Sequence, residues 1–303
     1  MKIGIASHVV IDTIQRLDGR VIESIGGPSC YCGITSAKFG FNVALATKVG
    51  KDFPKEMYEV LQSNNIKLGD KQFTDAPTTR FRIFLEGDSR QLTLNVKCKP
   101  VTADDIKGMD VDCWLASPVF DEVPPTVLAA IKKNKGKKNF IMLDPQGYLR
   151  LVDQKGRITY RNKLQLDLTG ITAIKVDPQE MQALTGGLTG LEGMRFLQAH
   201  GIDLVISTEY RIFHLLHGDT HYWINMPDVN SIDSTGMGDI LCASFSCAFI
   251  KEKDPMWAIC FGAGAVRAAL ETGQIGLDKI PSISKIEHNA SYFYNTMGFQ
   301  NLS

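Results

Sequence analysis

The sequence predicts an α/β fold, a mostly parallel sheet covered by helices on both faces, in a single domain spanning residues 1–303. Three observations predict it. Short β-type apolar runs alternate with helical patterns along most of the chain, the rhythm of strand–helix–strand units. Apolar residues make up 44% and charged residues 22%, the ordinary balance of a soluble globular chain. Finally, 303 residues suffice to bury a large α/β core.

Lys2 to Ala6 reads as a first strand, and Val9 to Ile25 as a second extended stretch turning at Gly19. Gly26-Gly27-Pro28 breaks it, and Ser29 to Phe39 reads as a helix closed by Gly40. Val43 to Val49 is a buried strand. Asp52 is expected to cap a helix through Asn64, with Pro54 in its first turn. Further strands are expected at Cys113–Ala116, Phe140–Leu143, Ala173–Val176 and Leu204–Ser207, interleaved with helices at Thr126–Lys133, Pro178–Leu184 and Leu191–His200. Strands at Ile212–Leu216 and His221–Ile224 look antiparallel. A helix containing Asp239 and another from Pro255 to Leu270 follow. Thr78 to Lys97 departs from this rhythm: it alternates, turns at Gly87-Asp88-Ser89-Arg90 and alternates again, as a hairpin does. Together with residues 9–25 it forms either a small β lid over a pocket or an edge extension of the main sheet.

The 33 basic and 33 acidic residues give a formal net charge of zero, which argues against nucleic acid or an acidic membrane as the main partner. Lys132 to Lys138 is a local basic cluster of the kind that ends a solvated helix. The seven cysteines include no C-x-x-C pair, and Cys30-Tyr31-Cys32 has the wrong spacing for zinc. They read as reduced and buried, in a cytoplasmic protein. No apolar run approaches the ~20 residues of a membrane span, and Met1 to Ile11 lacks the small-residue site of a signal peptide.

The stretch Asp233-Ser234-Thr235-Gly236-Met237-Gly238-Asp239 runs directly into an apolar helix pattern. Its glycines let backbone N–H groups close on a ligand, and the helix start adds orphan donors and a positive dipole end. That is a site for phosphate oxygens. A carboxylate at its mouth, Asp239, suits a base that takes a proton from an attacking hydroxyl. Asp and Gly before a helix are also ordinary capping residues. The chain contains no G-x-x-x-x-G-K-[ST], and Gly236-x-Gly238 lacks the third glycine of a dinucleotide fingerprint.

This stretch resembles the D-T-x-G-A-G-D signature of the ribokinase/PfkB family of sugar and nucleoside kinases, with Ser234 and Met237 as departures. The resemblance extends over nearly the whole chain. It implies a ribokinase-like three-layer α/β/α sandwich with a small β-sheet lid, and transfer of the terminal phosphoryl of ATP to a hydroxyl. In that scheme Asp239 is the base, and the N–H groups of Gly236, Met237 and Gly238 stabilise the phosphoryl oxygens. Gly26-Gly27 and Ala37-Lys38-Phe39-Gly40 resemble the family's early signature. The resemblance implies that Asp12, Gly26, Gly27 and Tyr31 bind the acceptor. On the hairpin, Phe81, Arg82 and Phe84 are expected to face it, Arg82 suiting an acidic sugar such as 2-keto-3-deoxygluconate.

Lys175-Val176-Asp177-Pro178-Gln179-Glu180 resembles the K-x-N-x-x-E element, which implies that Asp177 and Glu180 organise magnesium through water. The same D-x-x-E spacing is a capping pair. Asp144-Pro145-Gln146-Gly147 resembles a D-P-N element near the phosphate path. Lys175, Thr208 and Gly273 are expected at the nucleotide, and Asp233 beside a monovalent cation such as potassium. Tyr31 and Ala116 stand where ribose-using relatives carry asparagine and glutamate, so ribose itself is disfavoured. Relatives also suggest a homodimer through the lid. The alternatives are a nucleoside kinase of the same fold, a binding module that has lost catalysis, and a nucleotide-dependent oxidoreductase, against which the incomplete dinucleotide fingerprint stands.

Overall fold

A computed structural model describes residues 1–17, 19–86, 89–229 and 231–302. Its main sheet has nine strands. From one edge to the other these are Gly298–Asn301, Thr220–Asn225, Ile212–His217, Leu204–Glu209, Ala173–Val176, Phe140–Leu143, Cys113–Ala116, Lys2–Ala6 and Asn42–Ala46. The six strands from Leu204–Glu209 to Asn42–Ala46 run parallel, and the other three are antiparallel. This is the α/β architecture, helices over a mostly parallel sheet, that the sequence predicts.

Successive strand residues alternate between two apolar layers. Cys113, Leu115, Phe140 and Met142 pack with helices Pro28–Lys38, Met237–Glu252, Pro255–Leu270 and Ile283–Thr296. Trp114, Ala116, Ile141 and Leu143 pack on the opposite face with helices Pro125–Lys133, Pro178–Thr185 and Gly190–Ala199. Both faces are therefore covered, and the central strands are apolar throughout, as parallel sheets require. Helix Met237–Glu252 is buried nearly all round, from Asp239 to Ile250, which explains its lack of a polar stripe. Truncating its Phe245, fully buried, would cost ~3–5 kcal/mol.

A separate four-stranded sheet has the order Val21–Gly26, Val10–Arg16, Arg80–Glu86, Ser89–Val96. Asp12 pairs in register with Ser24 on one side and Phe81 on the other. The hairpin tip, Gly87 and Asp88, lies outside the described residues.

Several local expectations are corrected. The strand begun near Val43 ends at Ala46, and Val49–Gly50 pairs separately with Phe73–Thr74. Asp52 caps no helix. Its carboxylate accepts from Thr78 N–H and Oγ1, both at 2.8 Å, and from Arg80 at 3.2 Å, so it anchors the chain entering the strand Arg80–Glu86. The elements not foreseen include the strands Arg150–Val152 and Ile158–Tyr160, helix Ile283–Thr296 and strand Gly298–Asn301. All seven cysteines are buried and unpaired. No helix among the described residues is long and apolar enough to cross a membrane.

Candidate active site

Helix Met237–Glu252 starts from Gly236, which holds φ 76°. A Cβ on Gly236 would meet the Tyr31 ring at 2.6 Å, so both the conformation and the space demand glycine. The first intrahelical bond is Ile240 N–H to Gly236 O at 2.9 Å. The N–H groups of Gly238 and Asp239 precede it and have no carbonyl within the helix. Met237 N–H reaches the Ser234 carbonyl only at 3.4 Å. These residues line a cavity of about 170 Å³ together with Asp12, Gly27, Tyr31, Asp144, Lys175, Asp177 and Glu180. One cavity therefore joins the helix start to the four-stranded sheet.

Asp239 is buried within the helix's first turn, and its Oδ1 accepts from Gln146 Nε2 at 3.4 Å. Gln146 is in turn held by Arg150, one helical turn on, whose Nη2 donates to Gln146 Oε1 at 2.9 Å while Nη1 donates to Val119 O at 2.8 Å. Lys175 Nζ lies 3.3 Å from Asp144 Oδ2 and 3.4 Å from Glu180 Oε2, all three side chains buried. Burial alone would lower the Lys175 pKa, but Asp144 and Glu180 outweigh it and keep the ammonium charged. Burial pushes the Glu180 carboxyl up against the pull of Lys175. A Cβ on Gly238 would lie 3.4 Å from Lys175 Nζ, so this cation borders the helix start directly.

Asp177 and Glu180 do form the capping box: Asp177 Oδ1 accepts from Glu180 N–H and Glu180 Oε2 from Asp177 N–H, both at 2.8 Å. Each carboxylate uses one oxygen this way and still lines the cavity. Among the described residues no group of three or more His, Cys, Asp or Glu side chains is arranged to hold a metal directly. The donor set fits magnesium that keeps its waters and is held at second hand.

At the end formed by the four-stranded sheet, a Cβ on Gly26 would sit 2.0 Å from Asp12 Oδ2, so glycine makes room for that carboxylate. Val10, Phe81, Ile83, Leu92, Val119 and Tyr160 add an apolar wall. Tyr31 is buried, and burial, then the Asp12, Asp233 and Asp239 carboxylates, raise its pKa, so it stays a neutral phenol.

Three sequence expectations fail here. Arg82 is exposed: Phe81 and Ile83 point into the cavity, and strand alternation turns Arg82 and Phe84 away. Gly273 lines a different depression, against Ile22–Ile25 and Met57, because Gly276 and Lys279 tie its loop to Asp233. Asp233 is no cation neighbour: the Lys279 ammonium sits 2.6 Å from its Oδ2, with both side chains fully buried. Thr208, by contrast, lines a second cavity of about 250 Å³ beside Ser234, Met237 and Gly238, with Phe213, Met226, Leu241, Val266 and Leu270. Tyr210, two residues on, holds φ 53°, a conformation that favours glycine, and is 91% exposed. Sequence reading missed Arg150, Lys279, Ile83, Leu92 and Tyr160. Only Arg150 had a signal, its i,i+4 spacing from Gln146.

A phosphate-sized helix start with a buried carboxylate, opening on a second carboxylate suited to hydroxyls, defines a phosphotransferase that acts on an alcohol group. Residues 19–281 match the family described as pfkB family carbohydrate kinase, and the chain belongs to that family. A cytidine kinase from Thermococcus kodakarensis is 24% identical over 279 residues, 88% of this chain and 95% of its own length. A pyrophosphate-dependent kinase of the ribokinase family, solved with a pyrophosphate analog and myo-inositol, superposes with TM-score 0.79 at 21% identity, covering 94% of this chain and 99% of its own. Fructokinase from Vibrio cholerae O395, bound to fructose, ADP and calcium, gives TM-score 0.75 at 19% identity, covering 96% and 99%. At these identities the structural likenesses establish the fold.

Proposed function

We propose that this enzyme transfers the γ-phosphoryl group of ATP to a hydroxyl of a small sugar or polyol, such as an inositol or a hexose, with Asp239 as general base. The single observation that carries this reading is the shared cavity: Asp239, the helix start and Asp12 all line it. Asp12 accepts from acceptor hydroxyls, with Gly26, Gly27 and Tyr31 shaping the pocket around them. Asp239 takes the proton from the attacking hydroxyl. The N–H groups at Gly236, Met237 and Gly238, together with Lys175, stabilise the charge on the transferring group. Asp177 and Glu180 would hold magnesium through water, and the bound ion would neutralise charge on the donor phosphates. The 250 Å³ cavity beside Thr208 has the size and apolar lining for a nucleotide base, which favours ATP over pyrophosphate as donor.

With Arg82 outside the pocket, the reason for an acidic acceptor is gone. The apolar wall at Phe81, Ile83 and Leu92 favours a second reading, a nucleoside whose base packs there while its ribose meets Asp12. The seven unpaired, buried cysteines support a reducing, cytoplasmic setting. Leu17 and Val21, 66% and 60% exposed at the lid, support a homodimer through that sheet. The test is Asp239→Asn: kcat should fall about a thousandfold while magnesium–ATP binding, by calorimetry, changes less than about twofold. Near-normal turnover would remove Asp239 as the base.

A further inference from the structure

The Asp233–Lys279 pair joins two segments 46 residues apart at the foot of the anion-binding turn. Lys279 Nζ donates to Asp233 Oδ2 at 2.6 Å and to its backbone carbonyl at 3.2 Å. Gly276 N–H donates to the same Oδ2 at 3.0 Å. The other oxygen, Oδ1, accepts from Thr235 N–H at 2.8 Å, immediately before Gly236. The ammonium also lies 5.6 Å from the centre of the Tyr31 ring, the ring that Gly236 touches. Asp233 is the residue at which the family resemblance implied a monovalent cation. That ion does not fit here. The Lys279 ammonium already holds Asp233 Oδ2 and the Asp233 main-chain carbonyl, Gly276 N–H points at the same Oδ2, and Thr235 N–H takes Oδ1. Burial would raise the Asp233 pKa, but Lys279 and the N–H donors outweigh it and hold it low, so the pair is ionic.

We propose that Lys279 is a positioning residue that serves as a tethered cation: it neutralises Asp233, fixes Thr235 and Gly236 in the phosphoryl-binding conformation, and makes a dissociable monovalent cation unnecessary. A buried carboxylate without a counter-charge is strongly unfavourable, so the loop geometry depends on some cation at this point. A lysine supplies it at fixed stoichiometry, whatever the salt. The functional half of this inference rests on the reading that the 233–239 loop binds the donor phosphoryl.

The test compares potassium chloride with tetramethylammonium chloride at equal ionic strength, in the wild type and in Lys279→Met. Wild-type Tm and affinity for magnesium–AMP-PNP should agree within about twofold-equivalent limits between the two salts. Lys279→Met, which exposes Asp233 to any small cation, should bind the nucleotide analogue about tenfold more weakly in tetramethylammonium and recover in potassium, with a saturable rise in Tm. Asp233→Asn/Lys279→Met, which removes both charges, should lose the potassium response. Potassium-dependent stabilisation or nucleotide binding in the wild type would overturn the proposal, and that arm holds even if Lys279→Met does not fold. Wild-type-like nucleotide affinity in Lys279→Met in both salts would overturn it too. If the wild type binds no nucleotide analogue at all, the donor reading fails, while the Tm comparison still decides whether Lys279 replaces a free cation.

Discussion

The two ends of the main cavity are built differently. The end proposed to bind the phosphoryl group is a short, contiguous turn, residues 233–239, backed by a dense network of charged groups: Lys279 on Asp233, and Lys175 between Asp144 and Glu180. The end proposed to take the acceptor is one carboxylate, Asp12, in a wall of apolar side chains drawn from three strands of the four-stranded sheet, from Val119 and from Tyr160. Chemistry common to every phosphoryl transfer demands fixed donors and charges, which a helix start backed by ion pairs provides. Acceptor recognition demands shape, which interchangeable apolar side chains provide. Changes at the first end should therefore reduce kcat, and changes at the second should move KM.

Gly236→Ala should have the largest effect. Its φ of 76° and the 2.6 Å approach to Tyr31 oppose any side chain, so the turn must shift. We expect kcat to fall about a hundredfold, with acceptor KM little changed. A KM effect with intact kcat would show that the turn belongs to the acceptor instead. Phe81→Ala should raise acceptor KM about tenfold and spare kcat, through lost contact in the wall. Arg82→Ala, one residue away on the outward face, should alter neither constant by more than about twofold. If Arg82→Ala acts like Phe81→Ala, the lid strand has the other face inward.

The smallest effect concerns acid stability. The Asp233 carboxyl is held below its ordinary value of 3.8 in the folded protein. Its contribution is therefore fully present above that value and is lost as pH falls through the lower, folded-state pKa. The wild type should lose this part of its stability only in strong acid. Asp233→Asn/Lys279→Met should show a shallower acid limb in a Tm-against-pH series. An identical limb would mean that the pair contributes nothing measurable there.

The sequence disclosed these two ends unequally, for the same physical reason. Phe140–Leu143 and Pro255–Leu270 were legible to the residue because apolar period and flanking breakers mark them. Helix Ile283–Thr296 was overlooked although Ile286, Asn289, Ala290 and Phe293 keep a helical period, because its other faces are polar. At the site, Asp239, Gly236 and Gly238 lie within one motif whose order along the chain is its order in space. Ile83, Leu92 and Tyr160 come from separate strands, and no local pattern relates them. Lys279 is the clearest case: nothing in Gly-Leu-Asp-Lys marks it as the partner of a carboxylate 46 residues earlier.

The most direct measurement is initial-rate phosphoryl transfer across a panel of acceptors: inositols, hexoses, pentoses, nucleosides and 2-keto-3-deoxygluconate. Magnesium–ATP and magnesium–pyrophosphate would be run as alternative donors. The account predicts one neutral, hydroxyl-rich acceptor with high turnover from ATP and little from pyrophosphate, the activity vanishing in Asp239→Asn. Turnover from pyrophosphate alone, or transfer that survives in Asp239→Asn, would contradict it.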